Sequence, residues 1–134
     1  MRRVGIIGCG AIGTLIAKAV EENIVKCDGL ILYDSDAERA DKLKKSLHVP
    51  VVIVESVDEM IGLRPLVIVE AASQQAAKEY MPKVLRADID LIVMSVGALL
   101  DLKVKSNRLH SLRERSAVWT LSPARHWQEL VKCF

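Results

Sequence analysis

A single α/β domain built on a doubly wound parallel sheet is the fold class that this 134-residue sequence predicts. Three observations predict it. Short aliphatic runs alternate with segments of helical period along the first hundred residues. Hydrophobic residues make up 51% of the chain but aromatics only 4%, so the core is aliphatic, as in strands buried on both faces. A glycine-rich turn, Gly8-Cys9-Gly10-Ala11-Ile12-Gly13, joins the first aliphatic run to the first helical pattern.

The elements follow in order. Residues 4–7 read as the first strand and residues 14–22 as a helix, with Ile12, Leu15, Ile16, Ala19 and Val20 at helical spacing on its sheet-facing side. Residues 30–33 form the second strand. Asp36 caps a charged helix over residues 37–46, whose buried stripe is only Ala40, Leu43 and Leu47. Residues 49–54 form a third strand, and Pro50 near its start suits an edge position. A short helix over 56–61 has Ser56 as cap and Glu59 as capping-box partner. Residues 66–70 make the fourth strand. Ser73 caps a helix over 74–86 that Pro82 should kink or divide. Residues 89–94 make the fifth strand, residues 107–115 a polar helix and residues 117–121 a sixth strand.

The glycine turn is a G-x-G-x-x-G fingerprint in its expected setting, with a strand before it and a helix after it. Gly8 permits the tight turn, Gly10 lets a pyrophosphate approach the backbone, and Gly13 lets the helix lie close on the strand. Phosphates would then face a helix N-terminus, where unpaired N–H groups and the macrodipole favour negative charge. Asp34 ends the second strand, 21 residues after Gly13, where a Rossmann-type fold places the carboxylate that accepts from the adenosine ribose hydroxyls. A turn or cap role is the alternative for Asp34, but Asp36 is the better cap and would leave Asp34 for the ribose. A carboxylate here repels a 2′-phosphate, so the expected cofactor is NAD, with NADP possible because Arg39 and Lys42 lie on the next helix. The crevice at the switch point lies between strands one and four. Small residues at Ala71 and Ala72 would let a dinucleotide pass close to the backbone there, or would merely pack. Ser73 belongs to the same segment, and Val96 and Gly97 stand at the end of strand five.

Composition bounds the rest. A net charge of +2 gives no argument for nucleic acid or a membrane surface. No apolar run is long enough to span a bilayer, and the N-terminus reads as lacking a signal peptide. Three cysteines, Cys9, Cys27 and Cys133, show no metal-ligand spacing, which fits a reduced, cytoplasmic protein. Cys9 could be acidified by the adjacent helix N-terminus or could simply pack. The charge is uneven: residues 1–100 hold 12 Lys/Arg against 14 Asp/Glu, whereas residues 101–134 hold 7 against 3 and both tryptophans.

The segments Glu70-Ala71-Ala72-Ser73-Gln74-Gln75, Lys78-Glu79-Tyr80 and Asp90-Leu91-Ile92-Val93-Met94-Ser95-Val96-Gly97-Ala98, together with the glycine turn, resemble the L-aspartate dehydrogenase family. The resemblance runs from residue 1 to about residue 100. It implies NAD(P)-dependent oxidative deamination of L-aspartate through iminoaspartate, a reaction that can feed NAD biosynthesis, and pairing into homo-oligomers. It also implies cofactor contacts at Gly10, Ala11, Ile12, Asp34, Ala71, Ala72, Val96 and Gly97. Past Leu100 the family pattern is not followed, and no counterpart of the family's catalytic half is present. The expectation is a dinucleotide-binding domain over residues 1–121 with a tail over 122–134, from a truncated or frameshifted reading frame, able to hold NAD but inactive alone. L-aspartate would bind only if a catalytic half were supplied.

No catalytic residue is assigned. His48 reads as a surface residue, His110 as part of a solvated basic helix, and His126 falls in the tail. Arg113, Arg115 and Arg125 are cations of the type that substrate carboxylates require, but nothing places them beside a nicotinamide. Two other functions remain open. One is a free-standing NAD-binding regulatory or sensor module. The other is the cofactor domain of a different oxidoreductase, such as a homoserine dehydrogenase or dihydrodipicolinate reductase relative.

Overall fold

In the computed structural model, residues 1–95 are described, and they form five strands and four helices in strict alternation. The strands are β1 (Arg3–Ile7), β2 (Gly29–Tyr33), β3 (Val51–Ile53), β4 (Val67–Glu70) and β5 (Asp90–Val93). The helices are α1 (Ala11–Glu21), α2 (Ala37–Lys45), α3 (Val57–Gly62) and α4 (Gln74–Arg86). The expected helix over 107–115, the strand over 117–121 and the boundary at residue 121 lie outside the described residues.

All pairings are parallel and the sheet order is β3-β2-β1-β4-β5, which puts the short, proline-preceded β3 at the edge as expected. Strand β3 starts later than predicted because Pro50 has no N–H to give the ladder; its carbonyl instead accepts from Leu30 N–H at 2.9 Å.

Strand alternation divides the core into two layers. Val4, Ile6, Leu30, Leu32, Val67 and Val69 pack with Ala17 and Val20 of α1 and Ala40 and Leu43 of α2. Ile7, Ile31, Ile68, Leu91 and Val93 pack on the other face with Met60 of α3 and Ala77, Met81 and Val84 of α4. Gly5, in the middle of β1, makes room for this second layer: a Cβ there would lie 2.7 Å from Met60 Sδ.

Pro82 does not divide α4, which runs unbroken from Gln74 to Arg86. An internal proline costs about 3 kcal/mol. Met81 and Val84 flank it and are 2% and 0% exposed. Burying two such side chains stabilises by about 1.5–3 kcal/mol each, enough to hold the helix through the defect. The three expected caps form: Asp36 accepts from Glu38 N–H, Ser56 Oγ from Glu59 N–H and Ser73 Oγ from Ala76 N–H. The Glu59 carboxylate reaches back one residue further than a capping box would, to Glu55 N–H at 2.9 Å.

Candidate dinucleotide-binding site

The register lines up the carboxyl ends of four strands. Ile7 pairs with Tyr33 on one side and with Glu70 on the other, and Glu70 pairs with Val93. The next residues, Gly8, Asp34, Ala71 and Met94, therefore form one rim. Backbone bonds continue across it: Gly8 N–H donates to Tyr33 O at 2.8 Å, Ala71 N–H to Ile7 O at 2.8 Å and Met94 N–H to Glu70 O at 3.0 Å.

Two of the three glycines do the structural work that their spacing predicts. Gly8 has φ of 99°, a left-handed conformation that a side chain would strain, and a Cβ on it would meet the Ala72 backbone at 2.8 Å. Gly13 packs α1 onto the turn, since a Cβ there would land on the Gly8 carbonyl oxygen. Gly10 differs from both. A Cβ on it would meet nothing within 4 Å.

Gly10 is also the N-cap of α1, with extended backbone and no side-chain hydrogen bond, and the first turn of α1 carries no acidic residue. Helices α2, α3 and α4 are each capped by a side-chain oxygen. Among the described helices α1 alone presents its positive end without a cap. Ala11 and Ile12 at that end are exposed, as are Ala72 and Ser73 across the rim.

Asp34 stands at the expected place but is not free of the protein. Its Oδ2 accepts from Cys9 N–H at 2.8 Å and its Oδ1 from Asp36 N–H at 2.8 Å. The second contact is the local Asx bond by which an aspartate turns its own backbone. The first ties the glycine turn to the end of β2. Asp36 remains the cap, as expected, so both aspartates act. An ionised carboxylate offers about four lone-pair sites, so Asp34 retains capacity for ribose hydroxyls.

Cys9 packs rather than reacts. It is 6% exposed, and burial, followed by the Asp34 charge, pushes its thiol up to about 12. Desolvation thus outweighs any acidifying effect of the helix N-terminus. His48 is exposed and pairs with Glu21 at 2.8 Å, far from the rim and in keeping with a surface role.

Glu70 is the residue that sequence reasoning missed. It is 1% exposed, at the end of β4, and receives hydrogen bonds from Ala72, Ser73 and Ser95. The available signal was a carboxylate closing a wholly aliphatic run, with no basic residue nearby in sequence. Val96 and Gly97 lie outside the described residues, as do His110, His126 and the three tail arginines. Among the described residues no cluster of His, Cys, Asp and Glu could hold a metal ion, and no helix is long and apolar enough to cross a membrane.

Comparison with known proteins follows the same lines. The family model for the homoserine dehydrogenase NAD-binding domain matches residues 8–122. A curated protein named L-aspartate dehydrogenase from Methanococcus maripaludis strain C7 is 38% identical over 116 residues, covering 86% of this chain and 42% of the relative. Its namesake from Methanothermobacter thermautotrophicus is 41% identical over 102 residues, covering 76% of this chain and 38% of the relative. The chain therefore spans about two fifths of the length of the curated relatives it matches. Among solved structures, a 6-phospho-β-glucosidase from Thermotoga maritima holding manganese, NAD+ and glucose-6-phosphate superposes with a TM-score of 0.67 over 98% of this chain and 44% of that one. At 14% identity this likeness shows the fold alone.

Proposed function

We propose, since the chain belongs to the homoserine dehydrogenase NAD-binding domain family, that it is the cofactor-holding portion of an L-aspartate dehydrogenase. In this reading it presents NAD to a catalytic half that carries the substrate pocket. The observation that carries the reading is the uncapped N-terminus of α1 beside open space at Gly10. Unpaired amides and the macrodipole favour an anion at that end, and the missing side chain gives a pyrophosphate its approach. Asp34, at the end of the neighbouring β2, supplies acceptors for the adenosine ribose and repels a 2′-phosphate, so NAD is preferred to NADP. Ala71, Ala72 and Ser73 form the opposite bank, with Val96 and Gly97 completing the set by family resemblance.

Bound NAD would supply the hydride acceptor; this chain's own residues bind and orient it. Oxidation of L-aspartate to iminoaspartate, assembly into a homo-oligomer and a cytoplasmic setting belong to the same proposal. The relatives' names support the first, and the free thiols of Cys9 and Cys27 fit the last.

Calorimetric titration with NAD and NADP tests the reading. One site binding NAD more tightly than NADP is expected, with no aspartate-dependent NADH formation by the chain alone. Absence of NAD binding up to about 1 mM, roughly the 4 kcal/mol level, overturns the cofactor assignment. NADH formation by the chain alone overturns the need for a separate catalytic half.

A further inference from the structure

Glu70 is buried with no cation paired to it among the described residues. Burial of an ionised carboxylate is costly unless donors surround it, and here four do. Oε1 accepts from Ala72 N–H at 2.8 Å, Ser73 N–H at 3.0 Å and Ser95 Oγ–H at 3.1 Å, while Oε2 accepts from Ser95 N–H at 3.3 Å. Three of the four donors are backbone groups and the fourth is a side chain, and they come from two separate loops, those leaving β4 and β5. The carboxylate therefore ties two strand ends to each other, beneath the rim.

The tied segment abuts the glycine turn. The Ala72 backbone is what a Gly8 side chain would strike, at 2.8 Å from both Ala72 N and Cα. The segment is thus held between Glu70 on one side and Gly8 on the other. Sheet order then assigns it a share of the ligand. Adenosine ribose belongs over β2 at Asp34, and pyrophosphate belongs at the turn after β1. With the order β2-β1-β4-β5, the remaining half of a dinucleotide extends over β4 and β5.

We propose that Glu70 is a positioning residue for that nicotinamide-side half, acting through the backbone of Ala72 and Ser73 and through Ser95; this rests on the NAD reading above. The carboxylate touches no ligand. It turns two amides inward and sets the height and spacing of the bank against which the ligand lies. Glutamine at this position keeps one carbonyl acceptor for Ala72 and Ser73 but sets an amide donor against Ser95 N–H. It should therefore preserve half of the clamp, whereas alanine removes both halves.

Titration of the full chain with NAD and with AMP tests the proposal, with thermal melts confirming that each variant is folded. Glu70→Gln should weaken NAD by about tenfold and Glu70→Ala by more, as loss of charge-assisted bonds implies. AMP, which reaches only Asp34 and the glycine turn, should bind within about twofold of wild type in both. Wild-type chain that binds no NAD overturns the dinucleotide reading and this proposal together. Wild type and folded Glu70→Gln with equal NAD affinity overturn this proposal alone, and so does an equal loss of NAD and AMP. If neither Glu70 variant folds, Ser95→Ala removes only the hydroxyl; a several-fold loss confined to NAD supports the proposal, and unchanged NAD affinity overturns it.

Discussion

Three single substitutions in the glycine turn should separate what folds the chain from what binds its cofactor. In Gly13→Ala the new methyl falls on the Gly8 carbonyl oxygen, a backbone atom that cannot swing aside. Overpacking of this kind costs about 1–3 kcal/mol, and an unyielding neighbour puts it at the upper end. In Gly8→Ala a φ of 99° adds left-handed strain of about 1–2 kcal/mol to overlap with Ala72, for a total of about 2–5 kcal/mol. At roughly 4 °C per kcal/mol for a domain of this size, both variants should melt about 10 °C or more below wild type. Gly10→Ala has neither penalty. Its φ is −81°, its backbone is extended and its Cβ site is empty. Restricting the unfolded chain should leave stability unchanged or raise it by about 0.4–1 kcal/mol. The same methyl occupies the approach of the pyrophosphate to the α1 amides. Loss of even one charge-assisted hydrogen bond, about 1.5–3 kcal/mol, lowers NAD affinity at least about tenfold. Scanning calorimetry and NAD titration on the three variants read both quantities. If Gly10→Ala binds NAD like wild type, the pyrophosphate does not lie at this turn. If it melts as low as Gly13→Ala, its glycine is structural and the open space beside it is not a binding surface.

Two further outcomes follow from neighbouring residues. Asp34→Ala should weaken NAD and narrow the gap to NADP in parallel titrations, while lowering stability by about 1–3 kcal/mol because the half-buried Cys9 N–H loses its acceptor; an unchanged NAD-to-NADP ratio would refute the ribose role. Cys9 makes stability depend on alkaline pH, since its thiol is held neutral up to about 12 when folded but ionises near 9 when unfolded. Its contribution is complete below pH 9 and drains away as pH rises toward 12. Melting midpoints of wild type should therefore fall more steeply between pH 8 and 10.5 than those of Cys9→Ala, and parallel slopes would refute the burial argument.

The fold was legible where structure depends on residues close in sequence. Caps at Asp36, Ser56 and Ser73 need only a side-chain oxygen two or three residues before an amide, so residue type and spacing announce them. The glycine fingerprint is legible for a similar reason: Gly8 and Gly13 touch each other within one turn, and backbone sterics allow nothing larger. Long-range pairings were not legible. Gly5 is small because Met60, 55 positions away, fills the space, and nothing around Gly5 in the sequence reports that. Pro82 misled because its local cost is fixed by its ring, whereas the burial of Met81 and Val84 that offsets it depends on the whole sheet. The place of Asp34 at the end of β2 was legible, but its grip on Cys9 N–H requires two strand ends to be adjacent, which only the register provides.

Glu70 shows what a better reading would have required. A carboxylate closing the run Leu-Val-Ile-Val looks like any polar residue that ends a strand. In a central strand of a parallel sheet, however, both neighbours and both faces are covered, so water cannot solvate the charge. The order β1-β4-β5 makes β4 such a strand. No lysine or arginine lies within five residues on either side of Glu70, and Arg64, six before it, is occupied with the Ala87 carbonyl at 2.9 Å. The remaining way to satisfy the carboxylate is with amides and hydroxyls, and the nearest supply is the loop leading into the following helix and the end of the adjacent strand. An acid at the close of a central parallel strand, followed by small residues and a helix cap, therefore predicts a backbone clamp. Here the clamp lies at the carboxyl ends of the strands, so in the proposal above the residue that looks least involved in binding sets the shape of one bank of the crevice.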